Sequence, residues 1–219
     1  MSRQIADYAD SLGVGKLQRS NRVSCEHMGA VLADAILQAG LSYNSVVRTR
    51  VERILFEFPD ASTLPGLLAT IQEHGIAHFL AWNHHEKLDR FAALIGFFDD
   101  KNVLSTIDMK EWLNRQNSRE HLLQLHGVGP KTFDYLCCLV GIDCIAIDRH
   151  VRSFANAAGV GISEYERLKV IVSNAADLLG MSRRDFDSWI WHTVSSRSIQ
   201  GSQMILGGLI PPSHSSLDF

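Results

Sequence analysis

The sequence predicts an all-α protein, and two observations lead to that class. Apolar residues recur at helical spacing along most of the 219 residues, whereas strict apolar–polar alternation over five or more positions is rare. The composition, with 46% hydrophobic and 21% charged residues, is that of a globular chain. It excludes a disordered, collagen-like or coiled-coil protein. The length fits one large domain or two small domains that pack closely.

Four apolar stripes mark the helices of the first half of the chain. They lie at 31–39, 47–58, 64–71 and 88–98. Pro59 ends the second stripe, the third stops near Gly75, and the fourth runs into Asp99 and Asp100. We therefore expect four helices in this region.

Helix-start signals mark the second half. Asn117 with Glu120, and Ser163 with Glu166, each have the spacing of a capped helix start. Apolar residues come after both signals at helical spacing, and Gly180 ends the second of these helices. We expect each signal to begin a helix.

The last part of the chain has one further helix and a polar tail. Ser182 is a candidate cap for a helix that contains Phe186, Trp189 and Ile190. Trp191 and the neighbouring His192 either line a pocket or pack in the core, and core packing is the default. After about residue 198 the pattern fades into Gly, Ser and Pro, which predicts a loosely held tail.

Hydropathy, cysteine spacing and net charge limit the cell compartment and the kind of partner that we expect. No apolar run reaches the ~18 to 20 residues of a membrane helix, and 1–16 lacks a signal-peptide pattern, so we expect an intracellular protein of the cytoplasm and nucleoid, or of a nucleus. The four cysteines have neither zinc-finger nor disulfide spacing, which favours buried thiols. A net charge of −3 argues mildly against a nucleic-acid partner.

The turn Gly127-Val-Gly-Pro130 is the most informative segment. Its two glycines allow positive φ and close approach of another molecule, Val128 can anchor the turn, and Pro130 suits a first helical position. The first amides of the next helix point outward at the positive end of its dipole and form a phosphate site. An ordinary αα-hairpin is the alternative interpretation.

Two residues beyond this turn separate the two interpretations. Lys131 comes directly after Pro130, and Asp148 stands 17 residues after Lys131. Together with the turn they resemble the helix-hairpin-helix, Gly/Pro-rich loop and Asp signature of the DNA glycosylase superfamily that includes endonuclease III and the adenine glycosylase of mismatch repair. The resemblance covers about 30–195, and its specific part is 122–151.

The resemblance implies a fold and an activity. It implies a six-helix barrel-type domain at 31–142, with the helix-hairpin-helix at 118–140, and a second helical domain formed by 1–30 and 143–219. DNA is expected in the cleft between them. The implied activity is base excision: the enzyme flips out a damaged or mispaired base, cleaves its N-glycosidic bond through a lysine Schiff base and nicks the strand by β-elimination. The alternatives are a monofunctional glycosylase and a non-catalytic helix-hairpin-helix DNA-binding protein.

The same resemblance implies roles for individual residues. In the lysine-bearing branch, the residue at Lys131 is the nucleophile and the residue at Asp148 is the essential carboxylate. Both also have bland explanations, because a lysine near a helix start is common and Asp148 is a plausible N-cap for the helix after it. The helix dipole is expected to lower the pKa of Lys131. The expected DNA-binding residues are Gly127, Val128, Gly129, Lys131 and Thr132.

One position of the family pattern is left open. Many relatives have a glutamine, after the early helix, that fills the gap left by the flipped base. The matching position here is Gly40, so Leu41 or Tyr43 is expected to act as the wedge, and the loop Gly40, Leu41, Ser42 and Tyr43 to line the wedge site or the base pocket. Further candidates for phosphate contacts are Arg48, Arg50 and Arg53, or Lys16, Arg19 and Arg22, with solvated helix faces as the default.

The expected partner is double-stranded DNA that contains a lesion or a mispair, and we expect a monomer with no membrane association. Endonuclease III-like members of the family carry an iron–sulfur cluster on four cysteines after the last helix. Such a cluster needs four thiolates, and 192–219 contains no cysteine, so we expect no cluster. No other metal is expected. A monovalent cation at the hairpin is compatible with the resemblance.

Overall fold

The fold is built from helices alone in the part of the chain that the structure describes. A computed structural model describes residues 1–16 and 24–207, with side chains at 1–15 and 24–195. The helices are α1 Ser2–Ser11, α2 Met28–Leu37, α3 Arg48–Glu57, α4 Leu64–His74, α5 Ile76–Leu80, α6 His85–Asp100, α7 Thr106–Leu113, α8 Ser118–Leu122, α9 Pro130–Leu139, α10 Arg149–Ala157, α11 Tyr165–Leu178 and α12 Arg183–Gly207. The predicted all-α class is confirmed.

Short 3-10 turns at Val14–Lys16 and Pro59–Ser62, and a π-helical turn at Tyr43–Val47, complete the secondary structure. In 1–16 and 24–207 we find no helix with the length and apolarity needed to cross a bilayer.

Two hydrophobic clusters hold the helices together. The first contains residues of α2 to α9 and ends at Cys144, and the second joins α1 to the segment from Ile145 to α12. Helix α2 is the centre of the first cluster, because all ten of its residues are buried and it contacts α3, α4, α6 and α9. Phe154, Phe186 and Trp189 pack against each other in the second cluster. The cleft lies where the two clusters meet.

Three helices, α1, α5 and α7, are too short for the spacing of their apolar residues to predict them from the sequence. α1 is short, and only Ile5, Ala6 and Ala9 are buried, against α11. α5 has five residues, and α7 has eight with a capping box between Ser105 and Asp108. Their stability comes from tertiary packing, since isolated helices of this length are marginal in water.

The caps predicted for α8, α11 and α12 have different outcomes: the first is wrong, the second is displaced by one residue and the third is confirmed. Asn117 does precede α8, but its φ of +63° is left-handed and its side chain makes no cap bond. The cap of α11 is Glu164 rather than Ser163, and the Glu164 carboxylate accepts from two backbone amides. Ser182 Oγ accepts from the amide of Asp185 at 3.0 Å, as predicted.

The buried-thiol prediction is confirmed for three of the four cysteines, since Cys137, Cys138 and Cys144 are buried and Cys25 is partly exposed. The predicted tail after residue 198 falls partly on α12, whose backbone is helical to Gly207, and partly on 208–219, which lie outside the described residues.

A buried ion pair joins the two clusters. Lys169 on α11 donates to Asp134 Oδ1 on α9 at 2.7 Å, and the Asp134 side chain has no exposed surface. Burial raises the pKa of Asp134 from 3.8 to about 6, against the opposing effect of Lys169. The folded protein therefore binds this proton more tightly than the unfolded chain does.

The Asp134→Asn variant is expected to change how stability depends on pH. The contribution of Asp134 favours folding fully below about pH 4 and is lost as the pH rises through about 6. The shift corresponds to roughly 3 kcal/mol. Urea unfolding of both proteins from pH 4 to pH 7 measures the difference in unfolding free energy. Parallel pH profiles of the two proteins would contradict the expectation.

Candidate active-site cleft

A cavity of about 160 Å³ lies at the junction of the two clusters. The π-helical turn and α9 form one wall, and the segment before α10 together with α12 forms the other. The lining residues are Tyr43, Arg48, Lys131, Tyr135, Ala146, Asp148, Asp187, Ser188, Trp191 and His192. Lys131 and Asp148, paired by the sequence resemblance, thus face one cavity.

Lys131 is the second residue of α9 and is half-buried in the cavity wall. Its Nζ donates to Gln38 Oε1 at 2.6 Å. Burial lowers the pKa of Lys131, and the nearby carboxylates of Asp148 and Asp187 partly oppose that effect. The direction agrees with the expectation from the sequence, and desolvation is the largest cause.

Asp148 is the N-cap of α10, as its position predicts. Its Oδ1 accepts from the backbone amides of His150 at 2.8 Å and Val151 at 2.9 Å. Its Oδ2 accepts from His150 Nδ1 at 3.0 Å. These bonds fix the carboxylate while leaving it on the cavity wall, so capping and a chemical role are compatible.

Three aromatic side chains line the pocket, and the buried carboxylate of Asp34 behind it binds two of them. Tyr43 and Tyr135 both donate their phenol hydrogens to Asp34 on α2, at 3.3 Å and 3.1 Å. The Trp191 ring meets the Tyr43 ring edge to face, with the centroids 5.8 Å apart. Because each phenol has one hydrogen and gives it to Asp34, the two tyrosines offer a ligand their rings and an accepting oxygen, but no donor.

The loop after α2 holds the residues expected at the wedge. Gly40 has a φ of +79° and is exposed, as is Ser42, whereas Leu41 packs against the first cluster. Tyr43 lines the cavity, which suits a base-pocket residue better than a wedge. The side chain of Lys87 stabilises the loop by donating to the carbonyls of Ile36, Leu37 and Ala39.

The hairpin has the shape that its sequence predicts, with one difference. Gly127 has a φ of +79° and packs against Arg90, and Val128 is buried at 5% exposure. Gly129 has an ordinary extended backbone, with φ at −104°, so it does not need to be glycine for its conformation. Open space surrounds the Gly129 Cβ position. Thr132 is buried, so a ligand of the hairpin would meet the turn and its backbone rather than the Thr132 side chain.

Several site residues have only a weak signal in the sequence, or none. Tyr135 stands four positions after Lys131, the spacing that places two side chains on one helix face. Gln38 lies two positions before Gly40, the position that the family pattern assigns to a glutamine. Asp34 lies 101 positions before Tyr135, and no local signal links the two residues. Trp191 lines the cavity, which is the less favoured of the two interpretations that the sequence allows.

The three arginines of α3 have different surroundings. Arg48 lines the cavity. Arg50 and Arg53 donate to backbone carbonyls around α5, including those of Ala81 and His78. Only Arg48 is therefore placed to contact a ligand of the cleft. Arg19 and Arg22, also basic, lie outside the described residues.

Within the described residues, no cluster of three or more His, Cys, Asp or Glu side chains is arranged to hold a metal ion.

Comparison with known proteins identifies the fold. No protein-family model and no curated protein matches the chain. Among solved structures, the 3-methyladenine DNA glycosylase MagIII of H. pylori, crystallised with 1,N6-ethenoadenine, resembles this chain with a TM-score of 0.57. The likeness covers 91% of this chain and 98% of MagIII at 16% sequence identity. It shows that the two chains share a fold.

Proposed function

We propose, from the premise that this chain has the fold of a helix-hairpin-helix DNA glycosylase, that it excises a damaged base from double-stranded DNA. The observation that carries the proposal is the meeting of Lys131 and Asp148 in one cavity. The hairpin lies directly before Lys131 on α9, so a duplex held by the hairpin has its backbone next to this cavity.

The pocket favours a base that carries positive charge. The rings of Tyr135 and Trp191 and the carboxylates of Asp148 and Asp187 line it, and they oppose the positive charge of Arg48, which lies over the Tyr43 ring. Cations are attracted to aromatic faces, more strongly when both are desolvated. We therefore propose an alkylated purine as the substrate class. MagIII, with the same fold, is described as a 3-methyladenine DNA glycosylase, which supports this choice.

The proposed reaction is hydrolysis of the N-glycosidic bond. The damaged nucleotide is flipped out of the duplex, because its C1′ is not accessible while it is stacked. The bond between C1′ and the base nitrogen breaks, and its electron pair goes to the base, which neutralises a cationic base. Asp148 stabilises the positive charge that develops on the sugar. A water oxygen then bonds to C1′, and its proton passes to the Asp148 carboxylate.

A second candidate activity is the lyase that the sequence resemblance implies. Burial lowers the pKa of Lys131, and an uncharged amine is the form that attacks C1′. The amine would expel the base and form an imine with the opened sugar, after which β-elimination breaks the strand on the 3′ side. Hydrolysis is the first candidate because Lys131 Nζ is bound by Gln38 and because a cationic base leaves without help from a nucleophile.

The proposed function is tested by base release. Randomly methylated duplex DNA is incubated with the protein, and the released bases are identified by mass spectrometry. We expect methylated purines to appear, with much less release from a matched duplex that contains a neutral oxidised pyrimidine. Release of the pyrimidine alone would contradict the substrate class, and release of no base from either duplex would contradict the function.

The Lys131→Gln variant separates the two candidate activities. For a hydrolase we expect abasic DNA that is nicked only after added alkali, no adduct with borohydride, and excision by Lys131→Gln within about tenfold of the wild-type rate. For a lyase, borohydride traps a covalent protein–DNA adduct that Lys131→Gln fails to form. Gel analysis of the products with and without alkali gives the answer. Nicking by wild-type protein without alkali would contradict hydrolysis.

A further inference from the structure

A single phenol connects the helix of Lys131 to the segment of Asp148. Tyr165, the first residue of α11, donates to Asp134 Oδ2 at 2.8 Å. The same hydroxyl accepts from the backbone amide of Ile147 at 3.2 Å. Asp134 lies three positions after Lys131 on α9, and Ile147 directly precedes Asp148. The bridge thus ends one peptide away from the candidate catalytic carboxylate.

We propose that Tyr165 is a positioning residue that sets the distance between Lys131 and Asp148. The proposal rests on the proposed function, because it concerns the same cavity. Tyr165 does not line that cavity. It acts through Asp134 on one side and the Ile147 peptide on the other.

The bridge can form in one direction only. An amide donates and a carboxylate accepts, so the phenol must give its one hydrogen to Asp134 and accept from Ile147. Burial and the neighbouring Asp134 raise the pKa of Tyr165, so the hydroxyl keeps its hydrogen. Lys169 donates to the other oxygen of Asp134 at 2.7 Å and fixes the carboxylate. The arrangement therefore has a defined geometry.

The segment that carries Asp148 is also tied to α9 by the bond from Cys138 Sγ to the Cys144 carbonyl at 3.2 Å, but that bond lies four residues before Asp148. Residues 142–148 form neither helix nor strand, so they lack a regular ladder of backbone hydrogen bonds. Ile145 and Ile147 are buried, but apolar contacts hold a backbone less directionally than a hydrogen bond does. Displacement of a catalytic group by about 1 Å costs on the order of 100-fold in rate. A bond to the peptide before Asp148 is well placed to prevent that displacement.

The alternative is that Tyr165 only helps to dock α11. The neighbouring residue on α11 provides a matched control for this alternative. Glu166 forms an ion pair with Arg119 on α8, so it also joins α11 to the first cluster, but it does not touch the Ile147 peptide. Loss of docking alone would affect the Tyr165 and Glu166 variants alike.

The test compares Tyr165→Phe, Glu166→Gln and the wild type. Single-turnover excision with excess enzyme gives the rate constant of the chemical step, and fluorescence anisotropy gives the Kd for the lesion duplex. For Tyr165→Phe we expect a rate constant lower by on the order of 10-fold or more, with an unchanged Kd. Glu166→Gln is expected to match the wild type in both quantities.

Each other outcome has a defined meaning. A wild-type rate in Tyr165→Phe, an equal loss of rate in Glu166→Gln, or a loss that appears only in Kd would overturn the positioning role. If circular dichroism shows that Tyr165→Phe does not fold, Asp134→Asn decides instead, since an amide has one oxygen for the two donors Tyr165 and Lys169, and a wild-type rate constant in that variant would overturn the positioning role. Absence of excision by the wild type would reject the proposed function, and the two failures are therefore distinguishable.

Discussion

Asp148→Asn is expected to lower the rate of base excision by roughly 100-fold or more while the protein stays folded. In the proposed reaction the carboxylate supplies the negative charge that stabilises the sugar cation, and an amide of the same shape does not. Asparagine is as good an N-cap as aspartate, so the bonds to the amides of His150 and Val151 can persist. Single-turnover excision of a methylated purine is the measurement.

The Asp148→Ala variant is the control for this prediction, because it tests the capping role of Asp148 separately. Asp148→Ala removes both the charge and the cap, which adds a loss of about 1 kcal/mol in the free energy of unfolding. Thermal unfolding of the two variants separates the effects, since only Asp148→Ala should unfold at a lower temperature. Near wild-type excision by a folded Asp148→Asn protein would show that the carboxylate has a structural role only.

Gly127→Ala is expected to destabilise the hairpin by about 1–2 kcal/mol. The φ of +79° at Gly127 is unfavourable for any residue with a Cβ, and an added Cβ would lie 2.2 Å from Arg90 Nε. The Arg90 side chain can move, so most of the cost comes from the backbone. We expect weaker binding to duplex DNA as well, because the turn changes shape. Thermal unfolding and fluorescence anisotropy measure the two effects.

Gly129→Ala is the matched control in the same turn. Its φ of −104° is ordinary, and an added Cβ has open space around it. The variant is therefore expected to keep or slightly raise the stability, because alanine restricts the unfolded chain. Its new methyl group points into the space that a phosphate would enter, so the affinity for DNA should fall. Wild-type affinity in both variants would mean that the hairpin does not contact DNA.

Features that depend on nearby residues were predictable from the sequence. The cap at Asp148 involves amides two and three positions away. The positive φ at Gly127 and the burial of Val128 are consequences of a tight turn between two helices. The prediction of a cap from residue type and spacing was wrong at Asn117. This residue adopts a left-handed conformation instead, and its side chain makes no cap bond.

The contents of the cavity were not predictable in the same way. Lys131 and Gln38 are 93 positions apart, and Tyr135 and Asp34 are 101 apart. Such pairs have no period or fixed spacing, because the packing of α2 against α9 brings them together. The sequence therefore identified the residues that resemble a catalytic pair but not the aromatic walls that would select a base.

The sequence by itself determined the helical class and the hairpin, because these depend on periodicity and turn stereochemistry, and its resemblance to the glycosylase signature paired Lys131 with Asp148. Tertiary structure alone decided that both residues face one cavity, that burial lowers the pKa of Lys131, and that Tyr165 connects their two segments. The physical reason is that desolvation and long-range hydrogen bonds exist only after the two hydrophobic clusters have packed together.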